Sequence, residues 1–264
     1  MIDQIFHAVL APWIIGTICA GLMIATWLIA FHWHRRRIES GRLREGEGGV
    51  LMDEACLAIL GLLLAFTFAA AYSKYDNRNS KVADDANALR SLHFRCELLP
   101  DVWQKQLVPL AREAVEQRLL ILKPENVNPT GARTLNEKAN STESQMLAIV
   151  KRINLDKDAS SLAGPVADAV NAVAGTHQAR IDAARDHVPL PVVALLLLVA
   201  SISAFQLGRA QAFSGRLRKT TISLILLVAA IILVTFDLES PLRGLIMTDQ
   251  APIIRLAANL GIAP

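Results

Sequence analysis

Apolar residues in this chain are bunched rather than spread. Uncharged runs occupy residues 9–31, 55–73, 189–207 and 220–236, each bounded by charged or polar stretches. About 20 residues of helix, rising 1.5 Å each, cross roughly 30 Å of hydrocarbon. The first and third runs reach that length outright. The second and fourth are completed by flanking residues such as Met52 and Leu238, because a small hydrophobic mismatch is cheap. The pattern predicts four transmembrane helices, with a buried core helix as the competing reading of the fourth.

Between the second and third runs the pattern changes to an amphipathic one. No Gly or Pro occurs from Leu62 to Leu99, and Val82, Ala86, Leu89, His93, Cys96 and Leu99 recur at spacings of three and four. One helix is therefore expected to run from the second span far out of the bilayer, to a stop at Pro100. A further helix over 101–122 carries Trp103, Leu107, Leu110, Val115 and Leu119, with a kink expected at Pro109 and an end at Pro124. Residues 126–131 read as a loop, and Thr134 with Glu137 as a capping box opening a helix to about Ile153. A last helix starts near Pro165 and shows Val166, Val170, Val173, His177, Ile181 and Ala184 as one stripe. Pro189 and Pro191 separate it from the third span or bend it into that span. No alternating strand pattern is present, so the insert reads as a helical bundle.

The predicted fold class is an all-α membrane protein: four transmembrane helices, a helical soluble domain inserted between the second and third, and a second span continuous with a long extramembrane helix. Residues 1–54 hold the first span and an Arg/Gly-rich link, 55–73 the second span and 74–187 the extramembrane domain. Residues 188–236 hold the last two spans with a short basic link. In the C-terminal segment 237–264, Ile253, Ile254, Leu256, Ala257 and Leu260 fall roughly on one side, suiting a helix on the membrane surface or on the domain.

Composition and charge narrow the function. Hydrophobic residues make up 53% of the chain and the formal charge is only +3. No basic patch interleaved with aromatics is present, so no nucleic-acid partner is expected. Cys19 and Cys56 lie in spans and Cys96 alone in the domain, so the domain can hold no disulfide of its own. Residues 1–11 carry Asp3 and no Lys or Arg, unlike a cleavable leader. Arg35, Arg36, Arg37, Arg42 and Arg44 follow the first span, and Arg209, Arg216, Arg218 and Lys219 fill the link between the third and fourth. Basic residues concentrate in cytoplasmic links, which predicts both termini and domain 74–187 on the opposite side. Lys74, Arg78 and Lys81 run against this bias, although long domains translocate largely regardless of charge.

Two stretches resemble a known family. Gly61-Leu-Leu-Leu-Ala-Phe-Thr-Phe68, Tyr75-Asp-Asn-Arg78, Asp85-Ala-Asn-Ala88 and Glu97-Leu-Leu-Pro100 resemble the second-span signature of the bacterial bestrophin-like domain family of four-span inner-membrane proteins. Phe236-Asp-Leu-Glu-Ser-Pro241, with Gly244-Leu-Ile246 and Gln250-Ala-Pro252, resembles its C-terminal signature. The resemblance covers about a third of the chain and implies a multi-pass protein of the bacterial inner membrane, with the domain and termini periplasmic by the charge argument. A more distant analogy leads to true bestrophins, oligomeric anion channels, which keep the corresponding bulk in the cytosol. That placement and the arginine distribution disagree.

For a channel, the second span is the natural pore helix. Leu64, Phe68 and Tyr72 lie at i, i+4 and i+8, and five such helices around an axis would make an apolar constriction; packing against neighbouring helices is the competing reading. Lys74, Asp76, Arg78, Lys81, Asp84 and Asp85, with Tyr75 among them, then form a candidate charged vestibule, or else a solvated or intersubunit face. Asn87 and Arg90 are expected to join helices by hydrogen bonds. Asp53, Glu54, Asp237 and Glu239 sit at the membrane mouths, with Arg243 the nearest partner of the last two, and suit structural caps or ion handling.

The remaining motifs argue against chemistry. Gly46, Gly48 and Gly49 lack the preceding strand and following Lys-Ser/Thr of a phosphate loop. His32 and His34 flank Trp33 on different helix faces, as an interfacial anchor rather than a metal pair, and His177 reads as a core histidine. No zinc-protease motif or nucleophile elbow is present, so no catalytic, cofactor or metal site is expected and no cofactor is assigned. The reading is a membrane-embedded, self-associating ion channel or pore with lipid and small inorganic ions as partners. The alternative is a non-conducting envelope protein whose domain binds a partner or senses a condition.

Overall fold

The computed structural model describes residues 12–41, 50–121, 129–214, 219–240 and 244–263, with side chains at 12, 13, 15, 50–53 and 129 excepted. Eight helices are described: α1 (Pro12–Glu39), α2 (Val50–Glu97), α3 (Asp101–Leu120), α4 (Pro129–Ile153), α5 (Ser160–Arg185), α6 (Leu190–Ser214), α7 (Lys219–Leu238) and α8 (Ala251–Asn259). No strand occurs among the described residues. Four helices are long and apolar enough to cross a membrane, so the chain is a multi-pass membrane protein.

The chain forms two compact units, residues 1–75 with 187–247, and 76–186 with 248–264. In the first, α1 packs on α6 and α7. Trp27, Leu60, Leu64, Leu196, Ile225 and Ile232 share its core. Gly208 lets α6 approach α1 closely: a Cβ there would strike the Trp27 carbonyl oxygen and lie 2.9 Å from Ala30 Cβ. Small residues at membrane helix contacts commonly serve this purpose. The Ser203 hydroxyl donates to the Cys56 carbonyl at 3.2 Å, tying α6 to α2.

The second unit is a bundle of the distal part of α2 with α3, α4, α5 and α8. The predicted stripe of α2 is buried throughout, from Val82 to Leu99. It meets Trp103, Leu107, Val115 and Leu119 of α3, Met146 and Val150 of α4, and Val166, Val170 and Val173 of α5 in one core. Pro100 separates α2 from α3, and its carbonyl receives the Trp103 and Gln104 amides at 2.9 and 3.0 Å. In the α4–α5 turn, Asp156 accepts the Trp103 indole N–H at 2.6 Å.

Several boundaries differ from the sequence expectations. Helix α4 already begins at Pro129, so 129–131 are helical, while 126–128 lie outside the described residues. The expected capping box is not used: the Thr134 hydroxyl donates to Thr130 within the helix, and Glu137 pairs with Arg133 at 2.9 Å. Proline at a first turn loses no helical hydrogen bond, which explains the earlier start. Helix α5 begins at Ser160, and Pro165 lies inside it, as Pro109 lies inside α3. The C-terminal amphipathic stretch, given two places by the sequence, belongs with residues 248–264 to the bundle, where Ile253, Leu256, Ala257 and Ile262 join the core. The Arg112 guanidinium donates to the Leu260 carbonyl there.

Candidate functional site

Helix α2 has two distinct faces. Leu60, Leu64, Thr67, Ala71, Arg78, Val82, Asp85, Leu89, Leu92 and Cys96 are buried at helical spacing. The opposite face is uncovered: Leu62 and Phe66 are 56% and 65% exposed, and Gly61, Ala65, Ala69, Ala70 and Ser73 are exposed beside them. Ile59 is exposed on that face too, and the exposed faces of the other spans carry fewer small residues: Thr17, Gly21 and Ala25 beside Ile18, Leu22 and Ile29 on α1, Ala194 beside Leu195 and Leu198 on α6, and Ser223 and Ala230 beside Leu226 and Leu227 on α7. Large aliphatic side chains suit lipid, whereas a face of small residues with spaced large ones suits a protein neighbour.

Among the expected lining positions, Leu64 is only 7% exposed and packs in the core of its own unit. Phe68 and Tyr72 are exposed on the flank of the open face, with the Tyr72 and Tyr75 rings 6.3 Å apart. Helical periodicity made Leu64, Phe68 and Tyr72 one stripe, but which side of an all-apolar span faces inward depends on its partners. Leu62 and Phe66, which that stripe leaves out, are large apolar side chains of the uncovered face; their sequence signal is the run of small residues beside them.

The charged run divides similarly. Asp76 and Asp84 are exposed, Lys74 and Lys81 half-buried, and Lys81 pairs with Asp84 at 3.3 Å. Arg78 and Asp85 are buried. Asp85, expected in the vestibule, is instead the hub of a polar network inside the bundle. It accepts from Arg118 at 3.2 Å, from Arg180 at 3.1 Å and from the Thr176 hydroxyl at 3.3 Å. Arg118 also donates to Glu143 at 3.4 Å, and Arg180 to the Gln250 side chain at 2.8 Å. Removing one member of such a buried pair typically costs about 3–5 kcal/mol, because the other charge is left stranded. Burial, opposed by Arg118, raises the Glu143 carboxyl above its ordinary pKa. His177 lies against this network with both ring nitrogens buried and without hydrogen-bond partners among the described residues. Burial, and then Arg118, pull it down to about 4. Arg118, Glu143 and Arg180 were not singled out from the sequence, since nothing local marks a buried charge.

At the membrane mouth, Asp237 accepts the Leu245 amide at 2.9 and 3.0 Å and the Ile246 amide at 2.7 Å. Gly244 has φ +123 and its missing Cβ would collide with the Asp237 carboxylate, so backbone and carboxylate close on each other there. Glu239 accepts the Val188 amide at 2.7 Å. Glu54 is exposed, the Asp53 side chain is not described, and Arg243 lies outside the described residues. His32 and His34 bond the carbonyls of Leu28 and Ala30 at 2.9 Å, and Arg37 stands 4.6 Å from the centre of the Trp33 ring. Arg90 is exposed and joins no helices: it makes no hydrogen bond or ion pair among the described residues.

Some of these contacts join residues of the two quoted stretches. Asp237 holds the Gly-Leu-Ile stretch that follows it, and Asp85 reaches Gln250 through Arg180. Asn79 accepts the Asp249 amide at 2.9 Å. No curated protein matches the chain. It is similar in structure to a point-mutated bacterial bestrophin homolog from Klebsiella pneumoniae, with TM-score 0.59, 18% identity, and coverage of 93% of this chain and 96% of that one. The model of the bestrophin-like domain matches residues 16–253, nearly the whole length. The chain belongs to the bestrophin-like domain family.

Proposed function

We propose that the protein is the subunit of a homo-oligomeric ion channel whose axis is lined by the uncovered face of α2. That face carries the reading, because its exposed small residues Gly61, Ala65, Ala69, Ala70 and Ser73 outnumber those on any other span and small residues are enriched where membrane helices meet. Leu62 and Phe66 are its large apolar members and form the constriction, able to gate by dewetting. Phe68 and Tyr72 lie at the subunit flanks, and Leu64 is assigned to the subunit's own core. Continued past Tyr75, the same helical register carries Asp76, Ser80, Asp84 and Asn87. Asp76 and Asp84 are its acids, and rings of carboxylates favour cations. Lys74 and Lys81 flank them, Arg78 is buried, and Asp85 ties the bundle together through Arg118 and Arg180. Asp237 and Glu239 act as structural clamps on the chain beside the spans.

Purified protein in liposomes is expected to pass ions. Phe66→Ala should raise the flux several-fold, and Asp76→Asn with Asp84→Asn should move the reversal potential toward that of the anion. Vesicles that pass neither anions nor cations at any voltage or pH would refute the proposal. So would a monomeric mass in detergent, which would favour the non-conducting envelope protein.

A further inference from the structure

Within the extramembrane unit, the end of α2, the middle of α3 and the end of α8 line a half-open cleft of about 330 Å³. Its lining combines an apolar part, Phe94, Leu256 and Leu260, with two guanidinium groups, Arg90 and Arg112. Arg90 has no partner among the described residues, and Arg112 spends one donor on the Leu260 carbonyl. The carboxylate in the lining, Glu97, is engaged by His93 Nε2 at 3.3 Å. His93 itself is 9% exposed, with a buried Nδ1 that has no hydrogen-bond partner. The excess of charge in the cleft is therefore positive.

We infer that this cleft binds a small organic carboxylate with an apolar body. Guanidinium groups offer planar forks of donors that match a carboxylate, and they are less strongly hydrated than ammonium groups. The volume lies at the small end of ligand pockets, which limits the body to about one ring or a short chain. Phe94 is 59% exposed, far more than its apolar surface favours, and a bound body would cover it. The inference does not depend on conduction. A carboxylate bound here touches α2, α3 and α8 together and stabilises their packing by mass action.

Benzoate is a suitable probe, with benzyl alcohol as its uncharged counterpart. Calorimetric titration of the detergent-purified full chain should detect benzoate and not benzyl alcohol. Arg90→Gln should weaken benzoate binding about tenfold or more, the scale of one charged hydrogen bond. Arg112→Gln should weaken it similarly, but this residue also holds α8. Arg90 is exposed and has no partner among the described residues, so its variant should keep the wild-type melting temperature and carries the decision. No benzoate binding, equal binding of benzyl alcohol, or unchanged binding by the folded Arg90→Gln protein would each overturn the inference.

Discussion

His177 shows how one side chain can carry a pH dependence for a whole bundle. It lies on α5 and is faced by Asp85 from α2, Arg118 from α3 and Arg180 from its own helix, with Glu143 of α4 bound to Arg118. Burial and the two arginines outweigh Asp85 and hold its pKa near 4, against 6.5 when exposed. Between those values the unfolded chain takes up a proton that the folded one refuses. Stability from this residue is therefore fully present above about pH 6.5 and is lost as pH falls toward 4, a swing of about 3 kcal/mol at most. Glu143 has the opposite sign, since its raised pKa favours the folded state in acid. His177→Leu should isolate the first effect: melting curves of the full chain from pH 7 to pH 4 should fall less steeply for the variant than for the wild type. Equal slopes would show that His177 does not titrate in this way.

At the scale of elements, packing of the first unit depends on a contact without a side chain. Gly208 on α6 faces the backbone of α1, and a Cβ there would lie 3.1 Å from the Phe31 amide nitrogen besides meeting Trp27 and Ala30. Gly21 and Gly61 have nothing within 4 Å of the corresponding position. Gly208→Ala should destabilise the purified protein by about 1–3 kcal/mol, as overpacking does. Gly21→Ala should cost nothing, because alanine is the better helix former. Thermal unfolding in detergent distinguishes them, and equal behaviour would mean that α1 and α6 do not approach closely. The elements themselves were largely legible, because runs of hydropathy and the three-and-four spacing of Val82 to Leu99 depend on the chain alone. The start of α4 was not, since a capping box at Thr134 and a proline start at Pro129 are both good local signals. The contact at Gly208 was equally hidden, because glycines look alike in a sequence and differ only in what faces them. The same applies to the charged run of α2, where burial separates Arg78 and Asp85 from their exposed neighbours Asp76 and Asp84.

For the whole molecule, orientation decides what the extramembrane unit can meet. The links after the first and third spans are short, so their arginines count in the basic-residue bias. Arg35, Arg36, Arg37, Arg42 and Arg44 in one, and Arg209, Arg216, Arg218 and Lys219 in the other, all lie on one side of a four-span arrangement. We propose that these basic groups are held on the cytoplasmic side, which would place residues 74–187 in the periplasm, against the analogy with true bestrophins. Lys74 and Lys81 oppose this, but they introduce a domain too long for their charge to set its side. An alkaline phosphatase fused near Asn128 should therefore be active in cells, and a green fluorescent protein fused there should be dark. A dark phosphatase with a bright fluorescent fusion would place the unit in the cytosol. The proposed cleft at Arg90 and Arg112 would then sample cytosolic rather than periplasmic carboxylates, and the acids Asp76 and Asp84 would stand at the inner mouth of the proposed channel instead of the outer one.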